Sequence, residues 1–273
     1  MAGALSKNWV MQMSNLVDPV VLTEKLSDHI VSLKLNRPSK RNALNNAMLQ
    51  ALADEVRKAE ANGHIRCIVL TGGSDFFCAG ADIKEMQADG IDAIQNRTRK
   101  ENWAVLETTR IPMIAAVTGM CLGGGHELAM LCDVVVASEK AVFGQPEIKL
   151  GHIPGDGATQ RLRRLVGKYA AMQMILTGEP VDAQKACAMG LANEVTNHDQ
   201  CEARAQEIAE LIARHSAKAL GFAKDAVQAA DEVPLSAGLE RERRNIALAF
   251  TTKDQKEGLA AFFEKRPPNF IDE

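Results

Sequence analysis

The chain has no basic tail or stripe. Its 32 Lys and Arg are interspersed with 35 Asp and Glu, for a formal net charge of −3 over 273 residues. Nucleic acid is therefore not indicated as a main partner, since that binding rests on clustered positive charge. No apolar run approaches the roughly 20 residues that a membrane-crossing helix needs, so no membrane partner is expected. The six cysteines (67, 78, 121, 132, 187 and 201) include no CxxC pair. They read as reduced core residues rather than a disulfide frame, and the cytosol is the expected address. The stretch "MAGALSKNWVMQMSNLVDPV" holds one lysine, no arginine and no long apolar core, so residues 1–19 read as a loose arm rather than a signal or transit peptide.

What is present, 46% apolar and 25% charged residues, suits a soluble globular protein with a sizeable core. "VVLTEKLSDHIVSLKLNRPSKRN" shows two short β-rich runs split at Ser27-Asp28, which predicts a hairpin. Helical spacing follows, opening at Asn45 or Asn46 and closing at Gly63. "IRCIVLTGG" reads as a buried strand. A glycine turn leads to "FFCAGADIKEM" and a long helical stretch over roughly 89–109. Then "PMIAAVTGMCLGGG" reads as strand and turn, "HELAMLCD" as helix, "VVVAS" and "AVFGQPE" as short strands. Helices are expected at 157–166, 168–177, 182–189, 199–214, 216–230, 235–250 and 253–264. The result is one α/β core at 20–198 with a helical region at 199–273 and no linker between them.

The stretch "CLGGGHELAMLCD" carries the first chemical signal. Glycines let a backbone approach a ligand closely, and the first N–H groups of a helix have no intrahelical partners. Such a turn suits a developing negative oxygen, and Glu127, one turn in, would face the same cavity. Close helix–strand packing and ordinary capping explain the same residues without a ligand. Other motifs fail. "HELAM" lacks the second histidine of HExxH, so no metal site follows. No GxSxG elbow exists, and "GDGATQ" ends in Gln where a dinucleotide motif has Gly.

"FFCAGADIKEM", followed by "AAVTGMCLGGGHELAMLCDVVVASEKAVFGQPEIKLGHIPGDGATQRL", resembles the crotonase (enoyl-CoA hydratase/isomerase) superfamily, and the likeness runs from about Val20 to Phe270. The resemblance implies a spiral of ββα units with an α-helical C-terminal region, assembled as a homotrimer or a dimer of trimers (a hexamer). It implies an acyl-CoA thioester substrate whose carbonyl oxygen sits between the N–H groups of Ala81 and Gly124. Glu127 and Glu147 match the family's two acids: both hold the attacking water, the first activates it, and the second protonates the α carbon. The Gly155 N–H matches the position that helps hold the water. The turn Ala81, Asp82, Ile83 and Lys84 is expected to line the CoA. Lys40 and Lys265 are candidates for CoA phosphates, Lys265 in a neighbouring subunit's site, although lysines on helices are usually just solvated. Trp103 is placed near the acyl pocket, a role compatible with core packing. No metal or redox cofactor is implied, and β-oxidation is the commonest setting.

Two residues depart from the pattern. His126 stands where the familiar hydratase has a small cysteine, and its imidazole either perturbs the neighbouring acid or points away into packing. Asp156 replaces a small residue in the family's "IPGAGG" turn. A third acid is reminiscent of dienoyl-CoA isomerases, but there the aspartate falls one place earlier. Hydration is the expected reaction and isomerisation the runner-up. A non-catalytic acyl-CoA-binding or RNA-binding relative is a further alternative, opposed by both retained glutamates and by the mixed charges of the "KENWAVLETTR" helix.

Overall fold

A computed structural model describes residues 18–273, so nearly all of the expected arm lies outside the described residues. Strands β1 (Val21–Lys25) and β2 (Ile30–Leu35) pair antiparallel, forming the hairpin expected around Ser27-Asp28. A 3-10 turn at Pro38–Lys40 leads to α1 (Asn46–Asn62). Asn45 caps α1 by accepting the Met48 N–H at 3.0 Å, and Gly63 closes it at φ 72°. Helix ends demand these residue types: a short polar acceptor at the start and a residue tolerant of left-handed backbone at the finish.

β3 (Cys67–Thr71) is followed by α2 (Ile83–Asp89), α3 (Asp92–Gln95) and α4 (Arg97–Thr108). Two helices, α3 and α4, thus replace the one expected over 89–109, and α2 ends where that stretch was expected to begin. Gly90 takes φ 54°, and Asn96 leaves the helical region so that its side chain can accept the Arg99 N–H. Next come β4 (Met113–Val117), β5 (Met120–Leu122), α5 (Gly124–Ala129), β6 (Val134–Ser138) and β7 (Val142–Gly144). A 3-10 turn at Pro146–Leu150 precedes α6 (Ala158–Thr177), which is interrupted at Gly167 where two helices were expected to meet. β8 (Val181–Asp182), α7 (Ala183–Met189) and β9 (Glu194–Thr196) complete the strands. Helices α8 (Cys201–Ala213), α9 (Ala217–Ala229), α10 (Leu235–Ala249) and α11 (Lys253–Glu264) follow. None of the described helices is long and apolar enough to cross a membrane.

The strands form a sheet of order β1-β2-β3-β4-β6-β9, parallel beyond the first pair, and a smaller sheet of order β5-β7-β8. The chain enters the large sheet as β4, crosses to the small one as β5, passes through α5, and repeats with β6 and β7. This is the spiral of ββα units that the resemblance implies. Ile68 and Leu70 of β3 join the core shared with α1 and α4, while Cys67 and Val69 face Cys201, Ala205, Ala209 and Ala213 of α8. Burial on both faces explains the uninterrupted apolar run. The small side chains of α8 recur every fourth residue and present one face to the sheet.

The end of the chain is tied back to the strands. Arg66, buried ahead of β3, donates to the Ala213 and Phe270 carbonyls at 2.9 Å each and to Asp272 Oδ2 at 2.9 and 3.0 Å.

Candidate active site

Two isolated β-bridges assemble the site. Leu44 pairs with Ala81, and Cys78 with Cys121. The Leu44 N–H donates to Gly80 O at 2.7 Å and the Asp82 N–H to Leu44 O at 2.8 Å. The Cys78 N–H donates to Met120 O at 2.9 Å and the Leu122 N–H to Cys78 O at 3.0 Å. Backbone ladders therefore strap the 78–82 turn to β5, and so to the glycine run that follows it.

The three glycines do different things. A Cβ on Gly125 would fall 2.4 Å from Cys78 O, so that position is close packing. Gly123 turns the chain at φ 49° and lies against Glu147. Gly124 has space: its Cβ would stand 3.6 Å from Ala81 N, on the cavity side. Close packing accounts for Gly125, whereas Gly124 lines the cavity. Helix α5 begins at Gly124, earlier than the histidine where the sequence pattern placed it. Neither the Ala81 nor the Gly124 N–H donates a hydrogen bond among the described residues. Two free amides on one cavity can stabilise a developing anionic oxygen.

Glu127 is 2% exposed. Its Oε1 accepts the Asp156 and Ala158 N–H groups at 2.9 and 2.8 Å, while its Oε2 takes no hydrogen bond from the described residues. Burial pushes its carboxyl up to about 7, with the charges of Asp156 and Glu147 adding to the effect against the two amide donors. Glu147, half-buried on the Pro146–Leu150 turn, is also raised, again by burial first. Proton-transfer groups work best when poised near the ambient pH.

Gln145, fully buried, connects the second acid to His126. A carboxylate only accepts, so the Gln145 NH2 faces Glu147, at 3.2 Å from both Oε1 and Oε2. Its carbonyl then accepts the His126 Nδ1–H at 3.2 Å. His126 is itself 1% exposed, edge-on to Phe143, with its pKa lowered to about 4 by burial. The imidazole is neutral, packed away from the cavity, and reaches the acids only through the amide. Sequence reasoning missed Gln145, because a lone glutamine at a strand end carries no pattern.

Ala81, Asp82, Ile83, Gly124, Glu127, Glu147 and Gly155 line the same cavity. The Asp82 carboxylate is committed elsewhere: it accepts the Lys84 N–H at 3.2 Å and pairs with Arg37 at 2.8 Å, which holds its pKa low. Lys40, Lys84 and Lys265 are exposed and stand outside the cavity lining, Lys265 at φ 54° just after α11. Trp103 is buried and lines an adjoining space with Met130, Leu131 and Asp156, and its Nε1 has no partner among the described residues. Asp156 pairs with Arg99 Nη2 at 2.5 Å, so its carboxylate points at α4 while its N–H holds Glu127. Arg99 was also missed, for its place in the helical pattern reads as solvated surface.

Comparison with known proteins agrees with this geometry. The model of the enoyl-CoA hydratase/isomerase family matches residues 25–273. The 2,3-dehydroadipyl-CoA hydratase of Escherichia coli K12 is 48% identical over 88% of this chain and 94% of its own length. A probable mitochondrial enoyl-CoA hydratase of Dictyostelium discoideum is 44% identical over 86% and 85% of the two chains. The crystal structure of an enoyl-CoA hydratase subunit from Geobacillus kaustophilus superposes with a TM-score of 0.88 at 39% identity, covering 93% of this chain and 98% of that one. With the spiral, the facing amides and the paired acids in place, the chain belongs to the enoyl-CoA hydratase/isomerase family of the crotonase superfamily and is an enzyme of the hydratase (hydro-lyase) class.

Proposed function

We propose that the enzyme adds water syn across the double bond of a trans-2-enoyl-CoA, giving a 3-hydroxyacyl-CoA. One observation carries the reading: two undonated amides and two carboxyls of raised pKa share one cavity. The thioester oxygen sits between the Ala81 and Gly124 N–H groups, which stabilise the enolate formed as water adds. Removing one such donor typically costs about 3–4 kcal/mol of barrier. Glu127, near half-ionised at neutral pH, takes a proton from the water as it attacks the β carbon. Glu147 delivers a proton to the α carbon from the same face, and the Gly155 N–H helps hold the water. Each acid contributes roughly 100- to 10,000-fold. The step needs protons and an oxyanion seat, with no metal or redox cofactor.

The Asp156–Arg99 pair favours hydration over isomerisation, because the extra acid, already one place beyond the position of the dienoyl isomerases' aspartate, is tied to α4. Exposed Leu235, Ile246, Leu248 and Phe250 on and after α10, with Phe262 and Phe263 on α11, support assembly into a homotrimer or a dimer of trimers. Lys265 then serves a neighbouring subunit's CoA phosphates and Lys40 its own, while the turn that ends in Lys84 lines the CoA. A cytoplasmic setting completes the reading.

The test follows the conjugated thioester absorbance of crotonyl-CoA. Native enzyme is expected to abolish it, and Glu147→Gln to lose turnover by several orders of magnitude while still binding acyl-CoA. Conversion of a 3-enoyl-CoA without any hydration would overturn the assignment.

A further inference from the structure

The Gly80–Ala81 peptide is held from behind. A trans peptide is planar, so its C=O and N–H point in opposite directions. Gly80 O accepts the Leu44 N–H at 2.7 Å, which turns the Ala81 N–H towards the cavity. Gly80 sits at φ 118°, and a glycine's backbone rotates at little steric cost. The direction of this donor therefore depends on whatever fixes Leu44 against the turn.

Arg37 supplies that fixing. Its Nη1 donates to Ala43 O and its Nη2 to Asp82 Oδ2, the latter at 2.8 Å. Ala43 and Asp82 flank the Leu44–Ala81 bridge, so one guanidinium staples both sides of it. A rigid fork of donors suits this task. Water competes weakly with the ion pair, because the Arg37 and Asp82 side chains are 16% and 15% exposed. Between Arg37 and the bridge, Arg41 and Asn42 adopt left-handed backbone at φ 49° and 56°. Residues other than glycine rarely do so, and such a loop persists only where its surroundings fix it. Asn42, 1% exposed, accepts the Arg37 N–H at 2.9 Å and donates to Gly72 O and Phe77 O at 2.9 and 3.0 Å. Arg37 itself stands behind the cavity wall, which Ala81 and Asp82 form in part.

Resting on the oxyanion seat of the hydratase reading, we propose that Arg37 is a positioning residue: by stapling Ala43 to Asp82 it aims the Ala81 N–H at the thioester oxygen. It acts through Leu44 and Gly80 and touches no substrate. Without it the acyl-CoA still binds, but the donor swings. A misplacement of about 1 Å in such a group can cost about 100-fold in rate.

The experiment reads the seat both without turnover and with it. Para-dimethylaminocinnamoyl-CoA absorbs further to the red as its thioester carbonyl is polarised, so the shift on binding reports the donors. Native enzyme is expected to redden the bound probe, and Arg37→Met to lose about half of that shift or more at full occupancy. On crotonyl-CoA, Arg37→Met should lower kcat about 10- to 100-fold while KM changes less than about 3-fold. Arg37→Lys recovers part of both readouts, because an ammonium reaches Asp82 without the fork. Asp82→Asn still caps α2 but surrenders the ion pair, so it too loses part of the shift and of kcat. A merely structural Arg37 would lower the melting temperature and leave the shift per bound probe and kcat per folded enzyme at native values. That result in Arg37→Met, or in Asp82→Asn if Arg37→Met fails to fold, overturns the proposal. An unshifted probe on native enzyme would instead remove the thioester seat on which the proposal rests.

Discussion

A methyl group on Gly123 would fall 2.6 Å from Oε1 of Glu147. The residue that turns the chain into α5 also leaves the space in which the second acid stands. Gly123→Ala is expected to strain the backbone at φ 49° and to displace Glu147, destabilising the fold by about 1–2 kcal/mol and lowering kcat at least ~100-fold. Gly124→Ala gives the contrast. Its methyl has room but occupies the thioester seat 3.6 Å from Ala81 N, so hydration falls while the melting temperature stays nearly constant. Melting curves and crotonyl-CoA turnover on both variants check the pair, and an inverted order would refute the placement of the seat.

Glu127 links activity and stability to pH. Its pKa rises from 4.5 to about 7 on folding, so the native state holds this proton more tightly than the open chain does. The contribution to stability is full below pH 4.5 and is lost as pH rises through about 7. The whole span is on the order of 3 kcal/mol. Glu127→Gln, inactive but folded, should be more stable than native enzyme at pH 8, with the gap closing towards pH 4. Urea unfolding across that range measures it. In native enzyme, kcat/KM should climb along an acidic limb near pH 7, as the base ionises.

Gln145→Leu removes both N–H contacts to Glu147, each now 3.2 Å long. An ionised Glu147 loses its donors, so its pKa should rise further and the limb of the rate profile that reports Glu147 move to higher pH. We expect kcat to fall about 10- to 100-fold with little change in KM, the mark of a lost transition-state contact. His126→Phe should reproduce a weaker form of the same shift by freeing the amide to rotate. An unmoved rate profile in both variants would leave Gln145 as packing alone.

Arg66 and Asp272 form a buried pair across most of the chain's length, with side chains 6% and 2% exposed. Arg66→Met strands the Asp272 carboxylate, at an expected cost of about 3–5 kcal/mol. Adding Asp272→Leu should restore much of the loss. Denaturant unfolding gives the energies, and protease cleavage near the C-terminus should accelerate in the single variant only.

Helix ends and the hairpin were legible because they depend on local chemistry: Asn45 and Gly63 bracket α1, and Ser27-Asp28 splits β1 from β2. Among the strands of two or three residues, β7 was legible but β5, β8 and β9 left weak traces, since pairing partners distant in sequence define them. The break of 89–109 into separate helices lay in Gly90 and Asn96, residues that helical patterns also tolerate. At the site, the acids and glycines were visible as a spaced motif. Arg99 and Gln145 were not, because each matters only through a partner that folding brings to it: Asp156, and His126 with Glu147.

The bridges Leu44–Ala81 and Cys78–Cys121 build the proposed thioester seat from main-chain atoms alone. Point mutation can erase an acid outright, but it has no side chain to delete at the seat itself. A lineage descending from this sequence can therefore lose hydration in one step and still inherit a working clamp for activated acyl groups, ready for other chemistry.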